Sequence, residues 1–130
     1  MSVLSDATEQ LHRVLWADAE LSDIQIDYDR VCLLIDESTG ARKRVICEGH
    51  IGFELVGFWD EVLIKAATVA AEGDLLQSCA EAIERRRGRT PLPSGSEARN
   101  HTKRLQFTLT LDDGCELKIA MSALRVESVF

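Results

Sequence analysis

The chain has 130 residues, of which 45% are hydrophobic and 28% are charged, and its formal net charge is −7. This composition is typical of a globular protein that buries a core without disulfides or metal ions. No stretch approaches the roughly 20 consecutive apolar residues that a membrane span needs. The first residues have neither the basic start nor the apolar core of a secretory signal. We therefore expect one domain over residues 1–130, a cytoplasmic location and no membrane partner.

The acidic residues are concentrated in the first half of the chain. Residues 1–61 carry 13 acids and 5 bases, a net charge of −8, whereas residues 62–130 carry 9 acids and 10 bases. Such a field repels nucleic acid and favours a basic protein partner, although a need for solubility would give the same pattern. The basic run at 85–89 lacks interleaved aromatic residues and fits the C-terminal end of a helix. We expect no nucleic-acid partner.

Hydrophobic periodicity predicts an N-terminal helix followed by three antiparallel strands. An apolar stripe at helical spacing, with Asp6 as its capping residue, predicts a helix over 6–17. The pattern then alternates, which places Ile24 and Tyr28 on one face of a strand. Short polar turns separate the next apolar runs and indicate a meander. The three strands of this meander are predicted at 24–28, 31–36 and 42–48.

The rest of the chain predicts further strands and one longer helix. Residues 61–71 fit a helix, because of their alanines, or a strand, because of their alternation; a strand is preferred since the meander needs more partners. A helix is predicted over 74–87, with Asp74 as its N-cap. The polar segment 88–103 contains both prolines and predicts a mobile loop. The remaining predictions are strands at 49–56, 105–111 and 115–120, and a tail at 122–130 with a short edge strand at 124–126.

Together these elements predict an α+β fold. An antiparallel β-sheet, made of the meander and a C-terminal hairpin, would carry the N-terminal helix and the longer helix packed on it. The hairpin turn is predicted at Asp112-Asp113-Gly114, because an Asp-Gly pair between two alternating apolar runs favours a tight turn.

No set of residues in the sequence predicts catalysis, cofactor binding or metal binding. The four cysteines form no Cys-x-x-Cys pair, and we expect them to be buried free thiols. Cys47 and His50 come nearest to a nucleophile–base pair or half a zinc site, but their spacing on a strand puts them on opposite faces. Adjacent acids such as Asp36 and Glu37 lie at predicted turns, where solvation is expected. We therefore expect no catalytic, cofactor-binding or metal-binding residues and a protein that is not an enzyme.

The run at 57–61, Gly-Phe-Trp-Asp-Glu, sets two aromatic residues against two acids where the strand pattern breaks. We expect Trp59 to anchor a partner protein while the neighbouring acids meet basic groups on it. The alternative is that both rings pack inside and only the acids face water. The predicted partner-binding residues are Phe58, Trp59, Asp60 and Glu61, with Asp27 and Asp29 from the acidic meander.

This small acidic chain resembles bacterial immunity proteins of polymorphic toxin systems. The resemblance lies in its general build, in the junction at 57–61 and in the hairpin segment Asp-Gly-Cys-Glu-Leu-Lys at 113–118. It implies a protein that neutralises a cognate toxin by tight binding, with acidic residues set against a basic toxin surface. Two other functions stay open: a structural or adaptor subunit that forms a homodimer through a sheet edge, and a small ligand-binding domain with a pocket beneath Trp59.

Overall fold

A computed structural model describes residues 3–57, 63–87 and 104–129. In these ranges the chain forms two helices and eight strands, and every strand pair is antiparallel, which confirms the expected α+β fold. In chain order the elements are α1 (Val3–Leu11), β1 (Glu20–Ile26), β2 (Arg30–Asp36), β3 (Arg42–Glu48), β4 (Gly52–Val56), β5 (Ile64–Ala70), α2 (Asp74–Arg87), β6 (Leu105–Leu111), β7 (Glu116–Met121) and β8 (Ala123–Val129).

The strands form two four-stranded sheets rather than the one sheet expected from the sequence. The first sheet has the order β1-β2-β3-β8, which contains the predicted meander, and the second has the order β4-β7-β6-β5. The two sheets are joined by a pair of bent strands. One bends where β3 leads into β4, and the other bends where β7, the partner of β4, leads into β8, the partner of β3. Gly49, with φ of 64°, lies at the first bend. Ser122 lies at the second, where its N–H donates to the Glu48 carbonyl at 2.9 Å.

The outer strands of the two sheets also meet. Glu20 of β1 forms a bridge with Leu63, and the Ile64 N–H donates to the Ala19 carbonyl at 2.9 Å. The eight strands therefore surround one apolar core, which side chains from both sheets fill. The largest fully buried side chains include Leu21, Leu33, Ile35, Leu105, Phe107, Leu109, Leu111, Leu117, Ile119 and Met121.

Two predictions about the strands are confirmed and one is wrong. β6 has the predicted bounds and alternation, with Phe107 and Leu109 buried between the sheets. The ambiguous segment 61–71 contains a strand, β5, which pairs along β6. The tail expected at 122–130 is instead a full strand, β8, and it pairs along the whole of β3. The predicted mobile loop, 88–103, lies outside the described residues.

Helix α1 packs beside β8 and β5, and its bounds differ from the predicted 6–17. Asp6 lies inside the helix, so it is not the N-cap. The helix ends early because the indole N–H of Trp16 donates to the Leu11 carbonyl at 2.9 Å and satisfies a group that another helical turn would have used. The side chain of Gln10 accepts the Val126 N–H at 2.8 Å and ties the helix to β8.

Glu37 holds the segment that follows α1, and it is buried rather than solvated. Its carboxylate accepts the Leu15 N–H at 2.9 Å and the Lys43 ammonium at 3.0 Å. Lys43 also donates to the Arg13 carbonyl at 3.0 Å, so one ion pair fixes this loop at two points. Burial acts to raise the pKa of Glu37, but the hydrogen bonds from Leu15 and Lys43 outweigh it and hold that pKa below its ordinary value.

Helix α2 lies on the outer face of the second sheet, on the side away from the core. The helix has the predicted bounds, but its first turn is capped from another element. The Leu76 N–H donates to the side-chain carbonyl of Gln106, on β6, at 3.0 Å. Asp74 is the first helical residue, and its carboxylate accepts the Leu75 N–H at 2.8 Å and the Gln106 amide at 3.3 Å. A buried glutamine therefore does part of the work expected of a local cap.

Candidate functional site

The predicted partner-binding residues divide into two groups. Phe58, Trp59, Asp60 and Glu61 lie outside the described residues, so their predicted role stays a prediction. Asp27 and Asp29 lie together in the turn between β1 and β2, and both are exposed. This turn, with the end of β1, forms what we call the hairpin tip, residues 26–30.

The hairpin tip is held by backbone hydrogen bonds on both sides. The Asp27 N–H donates to the Arg30 carbonyl at 2.8 Å, which closes the turn. The Gly49 N–H donates to the Asp29 carbonyl at 2.9 Å, which ties the turn to the bend between β3 and β4. Arg30 lies 3.9 Å from the Asp27 carboxylate, an exposed pair of little energetic weight. The tip is therefore a fixed projection built on two paired strands.

Tyr28, the residue at the end of this projection, was missed as a site residue. Its predicted place on the apolar face of a strand is wrong, because the side chain is 100% exposed in the turn between Asp27 and Asp29. Ile26 beside it is 54% exposed. A sequence signal did exist: Asp-Tyr-Asp-Arg carries turn-forming aspartates at alternate positions, and these outweigh the alternation of the flanking strand.

A second exposed apolar region lies on β4, which begins just after the bend at Gly49. In β4, Leu55 is 39% exposed and Val56 is 49% exposed. β4 pairs with β7 on one side, and no other described strand pairs with it. We call the side of β4 that has no described strand beside it the free edge of β4. The bond from Gly49 to Asp29 ties the hairpin tip to the bend from which β4 begins.

Lys118, which lies opposite Glu54 of β4, is already engaged. Its ammonium lies 2.7 Å from Asp74, 3.8 Å from Glu54 and 3.8 Å from Glu116. The hydrogen bond to Asp74, with the charges of the other two acids, raises the pKa of Lys118. The same bond lowers the pKa of Asp74 to about 2. Three carboxylates share one ammonium here, so this cluster keeps a negative charge.

The candidate nucleophile–base pair is not assembled for chemistry. Cys47 is fully buried in the core, and burial raises the pKa of its thiol. The Nδ1 atom of His50 is buried and has no hydrogen-bond partner among the described residues. In the ranges 3–57, 63–87 and 104–129, no three His, Cys, Asp or Glu side chains are grouped closely enough to hold a metal ion.

The outer face of the first sheet carries a shallow cavity of about 50 Å³, lined by Asp23, Gln25, Cys32, Leu34 and Arg44. Pockets that bind small organic molecules are typically about 300–1,000 Å³. This cavity accommodates water rather than an organic ligand. It gives no support to the ligand-binding alternative.

Comparison of the chain with protein-family models, with curated proteins and with solved structures found no match. Neither helix in the described part of the chain is long and apolar enough to cross a membrane.

Proposed function

We propose that this chain is a non-catalytic protein-binding protein that neutralises a cognate bacterial toxin, with the hairpin tip as part of its binding surface. The observation that carries the proposal is the fully exposed Tyr28 ring between two exposed aspartates on a fixed turn. Nothing in the fold requires a tyrosine in this position, because its side chain contacts no core. Folding does not bury this ring, so the ring is available to contact a partner.

Physical arguments support this choice of surface. Tyrosine buries a large area at low conformational cost and keeps a hydroxyl for a hydrogen bond, which makes it a frequent anchor of protein interfaces. Asp27 and Asp29 flank the ring, and the carboxylate of Asp29 forms no ion pair with a described residue. Together with the overall charge of −7, these acids would draw a basic partner towards the tip and favour a rapid, salt-sensitive association.

A homodimeric structural or adaptor subunit is the second candidate, and the free edge of β4 favours it. An unpaired strand edge is a surface on which a second copy can continue the sheet. Measuring the solution mass across a wide concentration range separates the two proposals. A stable dimer at low concentration supports the second, whereas a monomer that binds a toxin domain supports the first.

The test of the first proposal begins with the gene immediately upstream: we expect it to encode a toxin domain, and the chain is then co-expressed with that domain. We expect the chain to restore growth of the toxin-expressing cells and to form a stable complex with the purified domain. Tyr28→Ala and the pair Asp27→Asn with Asp29→Asn should each weaken binding by about 10- to 100-fold, as loss of an interface anchor does.

Asp112→Asn is the matched control, since Asp112 is an exposed acid in the turn between β6 and β7. It should leave binding unchanged. Raising the salt concentration should slow association of the wild-type chain more than that of the doubly neutralised tip. Growth that is not restored would contradict the function. Restored growth with full affinity in all tip variants would contradict the choice of surface.

A further inference from the structure

β3 and β4 form one bent strand, and one edge of that strand is paired along β3 but has no described partner along β4. Along β3 this edge is covered by β2, from Arg30 opposite Glu48 to Asp36 opposite Arg42. β2 begins at Arg30, directly after the hairpin tip, so the cover stops where the strand bends. From Gly52 onwards the same edge continues as β4 with no described strand beside it.

The direction of each backbone group on β4 follows from the register of its partner. The Leu111 N–H donates to the Cys115 carbonyl at 2.9 Å, so β6 uses the odd-numbered residues of β7. In a strand, successive residues direct their N–H and C=O groups alternately to the two sides. The even-numbered residues of β7 therefore bond to β4, where they pair with Gly52, Glu54 and Val56. This leaves the N–H and C=O groups of Phe53 and Leu55 directed at the free edge.

The carboxylate of Glu54 on β4 favours a basic occupant over a second copy of the chain. Glu54 has a side chain that is 46% exposed, and its only described ion pair is the long one to Lys118, which Asp74 holds more closely. An antiparallel pairing of β4 with a second β4 over all five residues would place Glu54 directly opposite its own copy. Like charges directly opposite each other destabilise a sheet. A strand with a basic residue at that position would be stabilised instead.

We propose that the free edge of β4 binds an extended basic segment of the partner protein, which continues the second sheet as an added strand. This inference deepens the proposed function and rests on its claim that the chain binds a protein. The backbone groups of Phe53 and Leu55 supply main-chain hydrogen bonds, the usual source of affinity when a strand is added to a sheet. Leu55 and Val56 offer apolar contact, and Glu54 with the hairpin tip selects basic side chains.

The experiment uses the full chain and a short synthetic peptide of alternating valine and lysine with blocked ends. Amide hydrogen exchange at single residues is measured with and without the peptide, and the affinity is measured by titration. When about nine-tenths of the chain is bound, exchange at Phe53 and Leu55 should slow about tenfold, since only the unbound fraction exchanges. A peptide of alternating valine and glutamate should give no protection.

Two substitutions at one position separate the backbone from the side chain. Leu55→Pro removes an N–H directed at the free edge and keeps the bonds to β7, so it should abolish peptide binding. Leu55→Ala keeps that N–H and should bind within about twofold of the wild type, because the main chain supplies most of the affinity. Glu54→Gln removes the charge that favours lysine and should weaken binding of the lysine peptide.

Each outcome bears on one proposal. Protection of β1 or β5 in place of β4, equal protection by both peptides, or unchanged binding by Leu55→Pro would overturn the strand addition while leaving the neutralisation result intact. Protection confined to β4, together with a failure to restore growth, would overturn the toxin proposal and leave the strand-binding edge established. If formation of a dimer, with no peptide present, slows exchange at Phe53 and Leu55, the proposal of a basic occupant is overturned.

Discussion

The substitution Gly73→Ala tests whether Gln106 caps helix α2. A Cβ at position 73 would lie 2.3 Å from the side-chain oxygen of Gln106 and 2.4 Å from its Cδ, far inside normal contact. Gln106 is buried and cannot swing into solvent without giving up its bonds to Leu76, Asp74 and Thr108. The added methyl group must therefore expel the glutamine or lift the start of the helix from the sheet.

The magnitude follows from the bonds that are lost. Overpacking costs about 1–3 kcal/mol, and an unsatisfied Leu76 N–H adds about 1–3 kcal/mol, so Gly73→Ala should lower the free energy of unfolding by about 2–6 kcal/mol. Gln106→Ala removes the cap without a clash and should cost about 2–3 kcal/mol. In the double variant the methyl group meets no glutamine, and the total should stay near the about 2–3 kcal/mol of Gln106→Ala instead of the about 4–9 kcal/mol expected from adding the single costs.

Urea unfolding of the four proteins, followed by far-ultraviolet circular dichroism, measures these free energies. The double variant is itself the control, since it contains the same alanine at position 73 without the residue with which it clashes. If the two single costs simply add, Gln106 and Gly73 do not act on the same contact. The capping argument is then refuted.

Three further predictions concern a buried ion pair, an exposed ring and a thiol in the core. Glu37→Gln should lower the free energy of unfolding by about 1.5–3 kcal/mol near neutral pH, because charged hydrogen bonds are lost. The pKa of Glu37 in the folded protein lies below its ordinary value of 4.5, so the difference in stability from wild type should shrink as the pH falls below 4.5 and the carboxylate is protonated. Urea unfolding from pH 7 to pH 3 measures it, and a constant difference would contradict the ion pair. Tyr28→Ala should change stability by less than about 0.5 kcal/mol, since the ring is exposed; a larger thermal shift would mean that the ring packs. Cys47 should resist alkylation in the folded protein and react on unfolding, and rapid labelling of the native chain would contradict its place in the core.

The elements with strong local signals were predictable from the sequence. The alternation of Phe107 and Leu109 predicted β6, and the Asp-Gly turn after it was formed as expected, with φ of 92° at Gly114. Helix α2 has its predicted bounds because its helix formers are bounded by breakers on both sides. In these segments local propensity and long-range packing favour the same structure.

Other features depended on contacts between residues far apart in the chain. Helix α1 ends at Leu11 because Trp16 folds back on its carbonyl, a contact that no periodicity records. β8 was predicted as a tail with only a short edge strand at 124–126. Its charged residues lie on the outer face, where Arg125 pairs with Glu48 at 3.4 Å, while Leu124 and Val126 enter the core.

The candidate surface shows the same division. The sequence by itself determined that this chain is acidic. It also predicted antiparallel strands, and it placed Asp29 in a turn but Asp27 in the strand before that turn. Only the tertiary structure decided that the Tyr28 ring projects fully into solvent, and that β2 covers β3 but stops before β4. Both follow from where the hairpin ends relative to the bend at Gly49. That register is set by the pairing of β2 with β3, in which Arg30 lies opposite Glu48, 18 positions further along the chain. Local sequence favours a strand, but its neighbours decide which of its edges stays open to a partner.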